Sequence, residues 1–328
     1  MTDTQSAICG GARSLDFPRA HGAPAGEALL RAVSADFQVD EDLGFAPEGA
    51  GEHLYLRVRK TDQNTRWVAG LLADAFGVDL ATVGYSGLKD RRAVTTQWFS
   101  VALPGGTGVP SLPALNGCEI IEAGRHPRKL RPGNHRANRF LIRLRQFEGD
   151  GAALAARLDE VGRVGVPNYF GEQRFGIDGG NLVEVERILA MRSPRFKGRR
   201  GGLYLSAARS WVFNQVLAAR VLDGSWLEAG ADGPLWGRGR TLAAADMAER
   251  EAVVLAPWRA WCDALEHSGL RQERRPLRLL PGDYRWVLEE GDPVLCFTLP
   301  PGCYATALLR ELALLTVPAS NAQTLPMV

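Results

Sequence analysis

Gly84-Tyr85-Ser86-Gly87-Leu88-Lys89-Asp90-Arg91-Arg92-Ala93-Val94-Thr95-Thr96-Gln97-Trp98-Phe99-Ser100-Val101 is the stretch from which the rest of the chain can be read. It holds one carboxylate, Asp90, with Lys89 before it and Arg91 and Arg92 after it. Gly84 and Gly87 permit a tight path and close backbone approach. A strand-like run, Gln97 to Leu103, follows. The flanking cations favour a charged carboxylate and attract phosphate. A charged carboxylate in a cationic setting suits attack on a sugar carbon of an RNA. The same four residues also compose an ordinary surface turn, in which Asp is at home.

With 328 residues the chain can bury a full core and divide into two domains. Its net charge is only +2, so the global balance does not mark a nucleic-acid binder. The distribution says more. Residues 125–145 carry eight Lys or Arg and no acid, and Arg192, Arg195, Lys197, Arg199 and Arg200 form a second cluster, while Asp36 to Glu52 is acidic. Clustered basic charge in a near-neutral protein is the footprint of a phosphate backbone, or else a solvated basic loop. The five cysteines form no Cys-x-x-Cys pair, which fits a reduced, cytoplasmic protein. No His/Cys/acid grouping has metal-ligand spacing, so no metal is expected. No run approaches the roughly 18 apolar residues of a membrane span, and the start has no signal-peptide core. Nothing demands a dimer, so a monomer is expected.

Residues 1–25 are rich in Gly, Ala, Ser and Pro. A strand is predicted around Phe37-Gln38-Val39, and another over 53–60, where Leu54, Leu56 and Val58 alternate with Tyr55, Arg57 and Arg59. Asn64 or Thr65 can cap a helix through Phe76, with Val68, Leu71, Leu72, Ala75 and Phe76 inside and Gly77 as its end. Further strands are predicted at 97–103, 118–122 and 140–145, with Phe140, Ile142 and Leu144 inward and Arg143 and Arg145 on the other face. A helix is predicted at 151–162. The texture changes at 165 with a dense Gly/aromatic loop through Gly176, then helices at 181–190, 206–221 (capped by Ser206) and 257–267. Strands return near 284–289 and 293–299, and a last helix is predicted from Tyr304 to Leu315. The order is mixed α/β, then helical, then β-rich, the pattern of one domain inserted into another. The expected domains are 1–164 and 279–328 as two parts of a catalytic domain, and 165–278 as the insertion.

The Gly84–Thr95 stretch resembles the central motif of the TruD family of tRNA pseudouridine synthases. Three further stretches match in family order: Asn168 to Gly176, Ser206 to Asn214, and Leu299 to Thr306 with Arg310-Glu311-Leu312. The resemblance runs from about residue 28 to 316. It implies an α/β (α+β) pseudouridine-synthase domain with a mixed, mostly antiparallel sheet, interrupted by a mostly helical insertion. It also implies isomerisation of a uridine in the D-arm of tRNA, at position thirteen of tRNA-Glu, without a cofactor. The partner is tRNA, with no membrane.

By the same resemblance Asp90 is the catalytic carboxylate. It acts either by attack on C1′ or by assisting a glycal route through C2′. Phe37, Phe140 and Tyr304 line the uridine pocket, with Asn138 offering an amide to the base edge, and Tyr304 stands where the family commonly has Phe. Phe37 and Phe140 also sit where core residues belong, and Asn138 could simply stabilise a turn. Arg31, where related sequences often carry Lys, is the candidate basic partner of Asp90. Lys89 either shapes the local field or contacts phosphate. Asn168 to Gly176 is either an RNA-facing loop or, as its aromatics favour, structural. The basic clusters 125–139 and 192–200 are the expected tRNA-backbone surfaces. Two other function classes share these features: an RNA-binding module indifferent to Asp90, and a hydrolase that releases free uracil.

Overall fold

The computed structural model describes residues 14–105, 108–191, 195, 196 and 198–318, the side chain of Arg199 excepted. Residues 1–13, with Cys9, lie outside the described residues, as do Arg192 and Lys197 of the second basic cluster. Arg195 and Arg200 of that cluster are exposed.

In chain order the elements are β1 (Gly26–Leu30), β2 (Phe37–Asp42), β3 (His53–Thr61), α1 (Thr65–Phe76), β4 (Gly84–Tyr85), β5 (Val94–Ala102), β6 (Cys118–His126), β7 (Ala137–Gly149), α2 (Gly151–Val164), β8 (Val166–Pro167), α3 (Gly180–Leu189), α4 (Gly198–Leu222), β9 (Asp232–Leu235), α5 (Ala245–Leu255), α6 (Arg259–Glu266), β10 (Glu273–Pro276), β11 (Arg278–Leu279), β12 (Gly282–Glu289), β13 (Asp292–Leu299), α7 (Ala305–Leu309) and β14 (Leu314–Thr316). The chain forms two units. One comprises residues 24–164, 280–305 and 312–318; the other comprises 14–23, 165–279 and 306–311.

The first unit is built on a ten-stranded sheet in the order β12-β13-β7-β2-β5-β3-β6, with β1 on β7 and β14, and β4 on β5. The sheet is mixed: β2–β5 and β1–β14 are parallel and the other pairs antiparallel. Leu54, Leu56 and Val58 of β3 face inward and pack with Val68, Ala69 and Leu72 of α1 and with Phe99 and Val101 of β5. The helix starts where Asn64 Oδ1 accepts the Trp67 N–H at 2.8 Å and stops at Gly77, whose φ of +62° suits a glycine. Its buried stripe is Val68, Ala69, Leu72 and Ala73, so the expected inward face is rotated; Ala75 is exposed. In β7, Phe140, Ile142 and Leu144 are buried as the alternation requires.

The second unit is mostly helical. Its two best-marked stretches meet: Asn214 of α4 accepts the Phe170 N–H at 2.9 Å and donates to the Phe170 carbonyl at 3.0 Å, with the Phe170 and Phe213 rings edge to face. Arg174 donates to Ser206 Oγ at 3.0 Å. Tyr169, Phe170 and Phe175 are buried, which gives Asn168 to Gly176 the structural role. Residues 14–23 and 306–311 belong here because Phe17 stacks on Tyr169, Arg310 donates to the Phe17 carbonyl at 2.6 Å, and Glu311 Oε2 takes the Ala20 and His21 N–H groups.

Three expectations on secondary structure are corrected. The helix capped at Ser206 begins eight residues earlier, at Gly198, because Gly201 packs directly on the Phe196 backbone, a contact that offsets its poor helix propensity. The terminal helix 304–315 is only Ala305–Leu309, because Leu314–Thr316 pairs in parallel with β1. Helix α5 has no counterpart among the expected elements, since Ala-Asp-Met-Ala-Glu-Arg-Glu shows little apolar periodicity. Among the described residues no helix is long and apolar enough to cross a membrane.

Asn214 is fully buried and satisfies both polar groups of Phe170. Asn214→Ala strands an N–H and a carbonyl, at about 1–3 kcal/mol each. The urea midpoint of the helical unit falls accordingly, with little change in slope.

Candidate active site

The Asp90 loop runs between β4 and β5, and buried polar side chains hold it from beneath. The Lys89 N–H donates to Thr65 Oγ1 at 3.0 Å. The Thr65 hydroxyl donates to Gln97 Oε1 at 2.8 Å, and Gln97 Nε2 donates to the Gly87 carbonyl at 3.2 Å. Lys60 Nζ donates to the Gln63 carbonyl at 2.6 Å and, more distantly, to the Asp90 carbonyl at 3.4 Å. Gly133 N–H donates to the Ser86 carbonyl at 2.7 Å. Gly84 is required by close approach: a Cβ there would lie 2.3 Å from the Leu130 carbonyl oxygen.

Lys89 turns inward. Its ammonium pairs with Glu41, whose side chain is fully buried and whose other oxygen accepts the Trp98 N–H at 3.1 Å. The expectation that Lys89 contacts phosphate is corrected by this pairing, because a buried charge holds on to its partner. Burial pushes the Lys60 ammonium down to about 8.

Asp90 faces the other way and is a third exposed. Arg31 Nη2 lies 3.0 Å from Asp90 Oδ1. The Arg31 guanidinium also stacks 4.0 Å over the Phe37 ring. Arg31 follows β1 with φ +59°, a left-handed conformation rare for a side-chain-bearing residue. Its carbonyl accepts from Arg92 at 3.2 Å, and Arg92 also donates to the Pro318 carbonyl at 2.6 Å. Arg92 therefore braces the turn that carries Arg31, and Arg91 donates weakly to the Asp62 carbonyl at 3.4 Å. The cation on Asp90 is thus Arg31, none of the three sequence neighbours.

Strand register brings the other candidates together. Phe37 of β2 pairs with Ile142 of β7, and Phe140 pairs with Val39 and Phe297. The Phe140 ring stacks on Phe297 at 5.3 Å and meets Phe37 edge to face at 6.1 Å. Phe37 is 1% exposed, so it underlies Arg31 and presents no open stacking face. Asn138 pairs with Leu299, and the half-buried Tyr304 stands five residues beyond. Asn138 Nδ2 donates to His135 Nε2 at 3.1 Å, while its Oδ1 is buried without a hydrogen-bond partner. Burial, with Lys89 close by, lowers the His135 pKa, so its imidazole is neutral near pH 7.

The first basic cluster divides. Arg125 is buried and holds the Gly108 and Leu103 carbonyls, both at 2.7 Å. Arg136 pairs with Asp42, Arg143 with Glu289 and Asp292, and Arg145 with Asp36. Arg125 is therefore structural, which corrects its place in the expected RNA surface, whereas Arg136 pairs with Asp42 at the surface. Arg128, Arg131 and Arg139 are exposed.

The sequence reading missed Glu41, Lys60, Thr65, Gln97 and His135. A signal for two of them exists: Glu41 continues the inward period of Phe37 and Val39, and Lys60 that of Leu54, Leu56 and Val58. A charge on a core period is a buried charge awaiting a partner.

Comparison with known proteins agrees with this sheet and this motif. The family model described as tRNA pseudouridine synthase D (TruD) matches residues 20–195. Curated relatives of that name include one from Cellvibrio japonicus, 50% identical over 91% of this chain and 93% of its own length. Another, from Aeromonas hydrophila, is 44% identical over 89% and 92%. The crystal structure of a putative tRNA pseudouridine synthase D from Methanosarcina mazei shares the fold, with TM-score 0.65, 19% identity, and 90% and 95% of the two chains covered. The fold is that of an α/β pseudouridine synthase. The chain belongs to the tRNA pseudouridine synthase D family.

Glu41→Gln leaves the Lys89 ammonium buried without a counter-charge and lowers stability by about 3–5 kcal/mol. Adding Lys89→Met recovers most of the loss. Equilibrium denaturation of the strand-rich unit in the two variants measures the difference, and equal stability of single and double variants would show that the pair is not held together in the folded state.

Proposed function

We propose that this chain isomerises a uridine of tRNA to pseudouridine, with Asp90 as the catalytic carboxylate. The observation that carries this reading is the Arg31–Asp90 ion pair at 3.0 Å, set in the family's central motif and one third open to solvent.

The reaction breaks the N1–C1′ bond, turns the uracil and rejoins it at C1′ through C5; the C5 proton is lost to water and N1 takes up a proton in its place. The atoms of the nucleotide are otherwise conserved, so no electron acceptor takes part. The target uridine leaves its stack to reach Asp90. The carboxylate then either adds to C1′ or removes a proton at C2′ on a glycal route. Arg31 orients Asp90 and offsets its charge, and Phe37 supports Arg31 from below. Phe140 and Tyr304 supply the apolar wall for the base, and the unpartnered Asn138 Oδ1 is an acceptor for a base N–H. His135 fixes the Asn138 amide, and Lys89 and Lys60 fix the loop. The target we assign is position thirteen in the D-arm of tRNA-Glu, and Arg128, Arg131 and Arg139 supply phosphate contacts.

The test uses tRNA-Glu transcripts tritiated at uridine C5. Wild type releases tritium to water, and Asp90→Asn releases none while binding the transcript within about threefold of wild type. Carbodiimide mapping of the product places one stop at position thirteen. Folded wild type that binds the tRNA but releases no tritium would overturn the enzyme reading, and a stop elsewhere would move the target. Release of free uracil would favour hydrolysis.

A further inference from the structure

A hollow lies beside the segment 127–136, and of its lining the chemistry above uses only Arg128 and Arg131, as phosphate contacts. It encloses about 830 Å³, within the roughly 300–1,000 Å³ of ordinary ligand clefts. Its aromatic side is a run of packed rings: Phe45 on His126 at 5.3 Å, and His126 on Tyr55 at 4.6 Å. Phe45 stays 44% exposed and lines the hollow, so part of its ring is open to a ligand. Arg128, Lys129 and Arg131 line the cationic side. Among the described residues of the lining Glu48 is the only acid, 3.7 Å from His126 Nδ1. Burial, with Lys129 nearby, keeps the His53 pKa low, so a neutral imidazole sits among these cations.

An open aromatic face beside guanidinium groups fits neither a metal nor an apolar peptide. It fits an unpaired nucleotide, whose base stacks while its phosphate meets the cations. The hollow is also firmly built. Gly51, with φ +122°, lets the 44–52 segment close against His126 and Pro127, where a Cβ would lie 2.5 Å from the backbone. The segment 127–136 ties its rim to the start of the Asp90 loop through Gly133 N–H on the Ser86 carbonyl, and to β5 through Leu130 N–H on Ser100 Oγ at 2.9 Å. We propose that this hollow is a second nucleotide subsite, in which an unpaired base of the substrate RNA stacks on Phe45 and its phosphate is held by Arg128 and Arg131. The inference rests on the RNA-substrate reading above. A base seated there would fix the register of the RNA against Asp90.

The experiment measures tRNA-Glu binding and C5-tritium release with Phe45→Ala, Phe45→Trp and the double variant Arg128→Ala/Arg131→Ala. Loss of one stacked base raises Kd and KM about 5- to 150-fold in Phe45→Ala, and Phe45→Trp restores most of the affinity. The double variant, which frees that one phosphate, lowers the slope of log K against log salt by roughly 0.7–0.9. Ultraviolet crosslinking followed by mass spectrometry yields a nucleotide adduct within the peptide holding Phe45 or His126. Kd and KM within twofold of wild type in Phe45→Ala, with no such adduct, would overturn the subsite. If wild type binds tRNA through Phe45 but releases no tritium, the enzyme reading fails and the subsite stands. If wild type is active and Phe45→Ala matches it, only the subsite fails.

Discussion

A charge buried in a protein must be paired, and in this chain that rule orients the Asp90 loop. Lys89 meets Glu41 under the sheet, with Glu41 already fixed by the Trp98 N–H. With Lys89 committed inward, Leu88 and Asp90 on either side of it turn toward solvent. Thr65, Gln97 and Lys60 then bind three groups of the loop's backbone, the Lys89 N–H and the Gly87 and Asp90 carbonyls. The strand that carries Lys60, β3, forms the apolar core with α1 and β5. The loop is therefore anchored to the sheet from beneath, which preorganises the exposed Asp90 carboxylate.

Much of the fold was legible because its strands alternate and its first helix is punctuated. Asn64 and Gly77 bound α1 by capping chemistry that acts within four residues, and the inward set of β7 follows from period two. What escaped was non-local. The last helix yields to a strand because β1, nearly 290 residues earlier, offers an edge. The apolar stripe of helix α5 (Met247, Ala248, Val254 and Leu255) is broken by the buried acid Glu251, paired with Arg274, and the start of α4 is hidden by Gly201 and Gly202.

The candidate site divides along the same line. Asp90 and Arg31 were nameable from the motif and the family resemblance, but the division of labour among the neighbouring cations was not. Composition places Lys89, Arg91 and Arg92 equally close to Asp90. In the fold one goes to Glu41, one braces a turn, and the ion pair comes from Arg31, about sixty residues away in the chain. The basic cluster at 125–145 reads as one surface in sequence, yet five of its eight cations neutralise Asp36, Asp42, Glu289 and Asp292 or satisfy carbonyls. Charge density along a chain counts cations; only the tertiary structure says which are spoken for.

The left-handed turn at Arg31 carries a consequence for how this sequence can drift. A side-chain-bearing residue in that conformation costs on the order of 1–3 kcal/mol. Glycine would adopt it without strain, and asparagine nearly so. Selection for thermal resistance alone would thus steer position 31 toward residues that cannot reach Asp90. Stabilised variants of this scaffold, whether from laboratory evolution or consensus design, carry a built-in hazard at one position. There the most comfortable backbone and the useful side chain are different amino acids.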